Sequence, residues 1–230
     1  AMQTGMYDAF KVVAQLKNAD GTPGTQFFMN ETATKTGINW VPEHTYYWPG
    51  NRQLRFFAWA PVDAELEESP VSPMDVNRTT IKYTVPTDVA KQRDLVAAAT
   101  GYMGNPGNNA VCTPVGLQFK HLCTAVKIVT GATMASGTIK SVKISKVRNS
   151  GTYDMVTSKW TLEDGTADYS IEPNLATTGI TPDGTALNDE DATFMLLPQT
   201  LGSDSQLEVV FHDNITNRDR TLTASLDGAE

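Results

Sequence analysis

The chain has 230 residues, of which 40% are hydrophobic and 19% charged, and its formal net charge is −8. This composition excludes a disordered chain, which would combine low hydrophobicity with high charge. The acidic balance disfavours nucleic-acid binding and attraction to anionic membrane surfaces, and no apolar run approaches the roughly 20 residues that span a bilayer.

Short strand-like segments separated by turn residues make up the first half of the chain. We predict strands at residues 10–16, 25–29, 45–48, 53–60 and 81–85. The Asp20-Gly21 pair after the first of these is typical of a hairpin turn. In residues 53–60, Phe56 and its alternate neighbours face one side while Phe57 and Trp59 face the other, so both faces of this strand are expected to be covered.

The middle of the chain contains the predicted domain boundary. Residues 61–76 are loop-like and acidic. Residues 89–100 fit a helix by composition, and residues 94–100 fit a strand equally well. Residues 101–107 are rich in glycine, with an asparagine and a proline among them, which is typical of a linker. We therefore predict one domain over residues 1–112 and a second over residues 113–230.

The strand pattern restarts in the second half. Residues 138–145 alternate almost perfectly, with Ile139, Val142 and Ile144 as the apolar positions. Residues 166–191 are polar and rich in Thr, Asp, Gly and Pro, so we expect long loops there. Further strands are predicted at residues 115–121, 125–129, 154–162, 192–197, 206–212 and 220–226. Many short strands without a convincing helix of three turns predict an all-β fold of two β-sandwiches.

Side chains that could carry catalysis are few. His44, His121 and His212 show no metal-binding spacing, and the chain has no nucleophile-elbow or phosphate-binding motif. We interpret His121 as a strand histidine with a hydrogen-bonded ring, and His44 as a solvated loop residue. His212 and Asp213 are adjacent on a strand and therefore point to opposite faces. The acidic run 188–191 lacks the EF-hand pattern and is interpreted as a solvated loop. We expect no catalytic residue, no metal and no cofactor.

The two cysteines, Cys112 and Cys123, leave two interpretations open. A single pair cannot form a zinc site alone, because structural zinc usually takes four Cys or His ligands. The pair forms either a disulfide or two buried thiols, and so few cysteines in a chain of this length favour the thiols.

An aromatic-rich stretch in the first half is the candidate binding surface. Exposed rings would offer a platform for a sugar or a protein partner, whereas buried rings would form the core of the first sandwich. Strand placement favours burial for most of them. The residues proposed for this surface are Trp40, Tyr47, Trp48 and Trp59.

Five segments, taken in order, carry a resemblance to a known family. They are Phe10-Lys11-Val12-Val13-Ala14 with Phe27-Phe28-Met29-Asn30; Tyr46-Tyr47-Trp48-Pro49 with Leu54-Arg55-Phe56-Phe57-Ala58-Trp59-Ala60-Pro61; Gln92-Arg93-Asp94-Leu95-Val96; Leu117-Gln118-Phe119-Lys120-His121-Leu122; and Leu196-Leu197-Pro198-Gln199-Thr200-Leu201. This order resembles the fimbrillin family of Bacteroides-type bacteria, which comprises the subunits of surface fimbriae and related surface lipoproteins. Each segment is weak alone, and their order gives the resemblance its specificity.

The resemblance implies two tandem transthyretin-like, Greek-key β-sandwich domains, the second beginning near Leu117 and short of its last strands. It implies export to the cell outer membrane or a surface fimbria, with other fimbrial subunits as partners in a homo- or hetero-polymer. In such assembly, a strand from one subunit fills an open groove in the next. No leader or lipidation cysteine precedes Ala1 in this chain, so membrane contact is expected only through a lipid anchor outside it.

The function favoured by the resemblance is therefore that of a structural and adhesive fimbrial subunit, not an enzyme. The alternative is a surface lipoprotein that binds a glycan or a host protein through exposed aromatic residues. A hydrolase built on the acidic loops is the least favoured interpretation.

Overall fold

The computed structural model describes residues 5–62, 74–105, 114–131, 133–177, 184–187 and 193–229. Over these ranges the chain forms sixteen β-strands and a three-residue 3-10 helix, Val89–Lys91, with no α-helix. The all-β prediction is confirmed. None of the described helical residues forms a segment long and apolar enough to cross a bilayer.

The strands that precede the long β9 are short, apart from the opening hairpin. They are β1 (Ala9–Lys17), β2 (Pro23–Thr36), β3 (Asn39–Pro42), β4 (Leu54–Ala60), β5 (Thr80–Thr84), β6 (Val96–Ala99), β7 (Lys120–His121) and β8 (Thr124–Val126). From β9 onward they are β9 (Gly137–Arg148), β10 (Ser150–Asp154), β11 (Lys159–Leu162), β12 (Thr166–Ile171), β13 (Leu175–Thr177), β14 (Phe194–Leu196), β15 (Gln206–Asp213) and β16 (Arg218–Ser225).

A six-stranded antiparallel sheet, in the order β3-β2-β1-β4-β6-β7, organises the first half of the chain. The turn between β1 and β2 is the predicted hairpin. Gly21 takes a φ of +89°, which glycine adopts at little cost. The Asp20 carboxylate accepts hydrogen bonds from the backbone N–H and the hydroxyl of Thr22, and these bonds hold the turn.

Strand β4 is buried on both faces, as its sequence predicts. Leu54 and Phe56 join one apolar cluster, with Phe10 and Val12 of β1. Phe57 belongs to a second cluster on the other side of the sheet. Burying a side chain of this size stabilises the fold by about 1.5–3 kcal/mol relative to its exposure, so β4 anchors the sheet from both sides.

Strand β9 is the centre of the second large sheet, which runs β12-β9-β15-β16 with β13 also paired to β9. Ile139, Val142 and Ile144 are buried, as predicted. Strict alternation would place residues 139 and 142 on opposite faces, but a register shift in the pairing with β15 brings both to the same face. The opposite face carries polar pairs such as Lys143 with Glu208 of β15, whose charged atoms lie 3.1 Å apart. One face of this sheet is therefore apolar and the other solvated, which is typical of antiparallel sheets.

Hydrogen bonds cross the domain boundary that the sequence predicts at residues 112 and 113. Strand β5 pairs with β10 in a sheet ordered β11-β10-β5, and β6 pairs with β7. The largest apolar cluster also contains residues from both halves, including Phe57 and Tyr169. The division into two transthyretin-like sandwiches stays a prediction. If the two halves of the chain are such sandwiches, they share paired strands and an apolar core.

Several predicted strands differ from the structure. Residues 45–48 form no strand. Of the predicted strand 115–121, only Lys120–His121 is paired. Residues 115–119 nevertheless alternate between partly buried and exposed side chains, and Phe119 packs on Phe10 with ring centroids 5.1 Å apart. The extended shape is thus set by packing on the first sheet rather than by a ladder of backbone hydrogen bonds.

The polar stretch predicted as loops holds two strands instead, β12 and β13. Ala167 and Tyr169 are buried and alternate with exposed residues, so packing overrides the polar composition. The predicted strand 154–162 is also interrupted. Asp154 accepts hydrogen bonds from two following backbone N–H groups, at Val156 and Thr157, and this turn separates β10 from β11.

Candidate functional site

The four proposed surface aromatics do not share one environment. Trp59 lies on β4 with only 5% of its surface exposed and belongs to the large apolar cluster. Its assignment to a binding surface is therefore wrong, because an alternating strand buried on both faces leaves neither set of side chains to solvent.

Trp40 and Trp48 are partly buried and hold the fold together. The Trp40 indole donates to the Tyr7 carbonyl at 2.9 Å, and its ring lies 6.2 Å from that of Phe10. The Trp48 indole donates to the Arg52 carbonyl at 2.8 Å. Each has an apolar body packed on the first sheet and a satisfied N–H, so both contribute to structure.

Tyr47 is the exposed member of the group, with 83% of its surface accessible. It lies in the segment between β3 and β4, beside Tyr46. Other exposed apolar side chains in this part of the chain are Ile38 and Val41. Tyr47 therefore keeps a place in the proposed surface, with no strand to hold it there.

The segment that carries Tyr47 is fastened to β2 through Glu31. The Tyr46 hydroxyl donates to Glu31 Oε1 at 2.5 Å, and His44 Nδ1 lies 3.0 Å from the same oxygen. The hydrogen bond from Tyr46, and then the contact with His44, lower the pKa of the Glu31 carboxyl from its ordinary value. His44 is exposed, as expected. Its contact with Glu31 joins two residues that are 13 positions apart in the sequence, and local sequence patterns do not predict it.

The other two histidines also pair with carboxylates. His121 Nδ1 lies 2.6 Å from Oδ2 of Asp94, whose side chain is fully buried, and His212 Nδ1 lies 2.7 Å from Oδ1 of Asp219. The hydrogen-bonded ring expected for His121 is confirmed. His212 and Asp213 make separate contacts, since Asp213 pairs with Arg220 at 2.8 Å.

Two glutamines in the segments that carry the family resemblance, Gln92 and Gln199, form hydrogen bonds between parts of the chain that are distant in sequence. Gln92 is fully buried; its side-chain oxygen accepts from the Met195 N–H of β14 at 2.7 Å, and its amide donates to the Pro86 carbonyl at 2.9 Å. Gln199 exchanges two hydrogen bonds with the backbone of Arg148, at 3.0 and 2.9 Å. These motif residues thus fix the framework, a role that the sequence motifs did not reveal.

Cys123 packs against the large apolar cluster, and burial raises the pKa of its thiol to about 12. Cys112 lies outside the described residues, so the choice between a disulfide and two thiols stays a prediction. The acidic run 188–191 and most of the predicted acidic loop 61–76 also lie outside the described residues.

The edge of the second large sheet is its most accessible feature. All eight residues of β16 are exposed, and within the described part of the chain this strand pairs with β15 alone. Val142, Val209 and Leu222 lie opposite one another on β9, β15 and β16. Along this row exposure rises from 0% at Val142 to 57% at Leu222. The apolar face therefore continues uncovered onto the edge strand, which sequence reasoning missed.

Comparisons with known proteins agree with this architecture. A family model described as fimbrillin-like matches residues 2–229. A proposed cell adhesion protein from Bacteroides ovatus is similar in structure, with a TM-score of 0.57 and 15% identity over 95% of this chain and 77% of its own. The fimbrial anchor protein Mfa2 from Porphyromonas gingivalis gives a TM-score of 0.45 and 13% identity over 96% and 75% of the two chains. A comparison with curated protein sequences gives no match.

Proposed function

Because the chain belongs to the fimbrillin-like family, we propose that it is a structural and adhesive subunit of a bacterial surface fimbria, assembled by β-strand addition between subunits. Members of this family are structural and adhesion proteins of the cell surface rather than enzymes. The proposed subunit is exported, and it is then either held at the outer membrane by a lipid anchor or incorporated into a surface fimbria.

The observation that carries this proposal is the exposed edge strand β16. A strand with unpaired N–H and C=O groups on one side accepts another strand readily. Leu222 adds an apolar side chain at the end of a row that begins in the core, so an incoming strand would gain both backbone hydrogen bonds and side-chain burial.

A matched pair of substitutions tests this role of β16. Leu222→Lys places a charge in the apolar row, whereas Thr221→Lys places the same charge on the opposite, solvated face of the same strand. Both residues are exposed, so we expect both variants to fold. In the exported and processed full-length protein, the Leu222→Lys variant should lose polymers in electron micrographs, and the Thr221→Lys variant should keep them. Polymers of normal length from Leu222→Lys would contradict the proposal.

A second candidate function, a surface that binds a glycan or a host protein, is supported by Tyr47 alone among the four aromatics. Its ring is exposed, while Trp40 and Trp48 are held by the fold and Trp59 is buried. On a glycan array, binding lost in Tyr47→Ala and kept in wild type would favour this function, and an equal signal from both would remove it.

A further inference from the structure

Glu31, Glu43 and His44 form a cluster of metal-ligating side chains apart from the β16 edge. In the pairing of β2 with β3, Ala33 lies opposite Pro42. Continuing that register by two positions places His44 opposite Glu31, so the side chains meet although 13 residues separate them. The potential ligand atoms of the three residues all lie within 4.8 Å of one another.

The chemistry of the cluster suits a divalent cation. Two carboxylates and one imidazole offer oxygen and nitrogen donors, a combination that binds first-row transition metals such as zinc.

The surroundings supply the support that metal ligands usually have. Glu31 is the least exposed of the three. The Tyr46 hydroxyl orients its carboxylate by donating a hydrogen bond to Oε1 at 2.5 Å. His44 and Glu43 are exposed, leaving the opposite side of the cluster open to water. The 3.0 Å contact between His44 Nδ1 and Glu31 Oε1 brings together two groups that a cation would bridge.

We propose that Glu31, Glu43 and His44 bind a divalent first-row transition-metal ion at the protein surface, with water in the remaining coordination positions. Three protein ligands with open positions resemble an exchangeable site rather than a closed structural one. Bound metal would tie the segment after β3 to β2 and so limit the motion of the segment that carries Tyr47.

Titration calorimetry of the whole chain with zinc chloride tests the proposal. We expect one saturable site in the wild-type protein. His44→Ala and Glu43→Gln should each weaken binding by at least about tenfold, which is the loss typical of removing an interaction at a metal site. Both residues are exposed, and unchanged far-ultraviolet circular dichroism would show that the variants fold.

The matched control is His212→Ala, which removes a histidine that pairs with a carboxylate elsewhere on the surface. Its zinc affinity should equal that of the wild type. The proposal is overturned if wild-type protein shows no saturable zinc binding, if His44→Ala binds as tightly as wild type, or if His212→Ala weakens binding as much as His44→Ala. Excess magnesium should not displace zinc, because magnesium favours all-oxygen ligands; displacement would also contradict the imidazole ligand.

Discussion

Replacement of the buried Gln92 by alanine offers the sharpest test of the framework. Its side chain joins two segments that are 103 residues apart, the one that follows β5 and strand β14. The substitution removes a hydrogen-bond acceptor from the Met195 N–H and a donor from the Pro86 carbonyl. No charge is changed, so any effect on stability comes from the lost hydrogen bonds and the space left behind.

The size of the effect follows from the burial of each group. A buried polar group left without its partner costs about 1–3 kcal/mol, and the Met195 N–H is fully within the core. The Pro86 carbonyl is partly accessible, so water can replace its lost bond and its cost is smaller. With the cavity that remains, we expect Gln92→Ala to lower the free energy of unfolding by about 2–4 kcal/mol.

Urea denaturation followed by tryptophan fluorescence measures this change, and hydrogen exchange at the Met195 amide locates it. Gln26→Ala is the matched control, because Gln26 is an exposed residue of β2; surface changes of this kind stay within about 0.5 kcal/mol. The reasoning is refuted if Gln92→Ala and Gln26→Ala have the same stability, or if exchange at Met195 is unchanged.

Two further predictions concern the sheet that ends in β16. In Gly137→Ala the new Cβ would clash with the backbone oxygen of His212 and with the Phe211 ring, so we expect the free energy of unfolding in urea to fall by about 1–3 kcal/mol. Gly202→Ala, whose Cβ would have nothing within 4 Å, should be neutral. The hydrogen bond from His212 lowers the pKa of Asp219 below its ordinary value of 3.8. The stability that Asp219 contributes is therefore present above pH 4 and is lost as pH falls through the lowered pKa. The protection of amides along β16, measured relative to the intrinsic exchange rate at each pH, should decrease as pH falls through that range. Asp219→Asn should show a smaller change, and equal pH profiles for the two proteins would contradict this role.

Strands with strong alternation were predicted well, because alternation and burial agree in them. Ile139, Val142 and Ile144 of β9 are apolar, spaced along one face, and buried. The outcome for β12 was different. Tyr169 is buried by packing against residues distant in sequence, and the threonines and aspartates around it gave no local sign of that contact.

In the candidate site, too, local patterns predict some features and three-dimensional packing decides others. Alternation predicts that both faces of β4 are covered, whereas the residue type of Trp59 suits a binding platform; the burial of Trp59 agrees with the first signal and not with the second. The exposure of Leu222 depends on which strand lies at the sheet edge, and the meeting of Glu31 with His44 depends on strand register. Order and register arise from three-dimensional pairing, so neither could be derived from local patterns alone.

The pairing of β5 with β10 has a mechanical consequence for the proposed role as a fimbrial subunit. Five residue pairs connect these strands, from Ser150 with Thr84 to Asp154 with Thr80. A pull that separates the two halves of the chain must break this ladder and expose the core that both halves share. Such forced unfolding is governed by the rate of opening rather than by equilibrium stability alone. If the chain bears load in a fimbria as proposed, this shared sheet would transmit tension between its two halves.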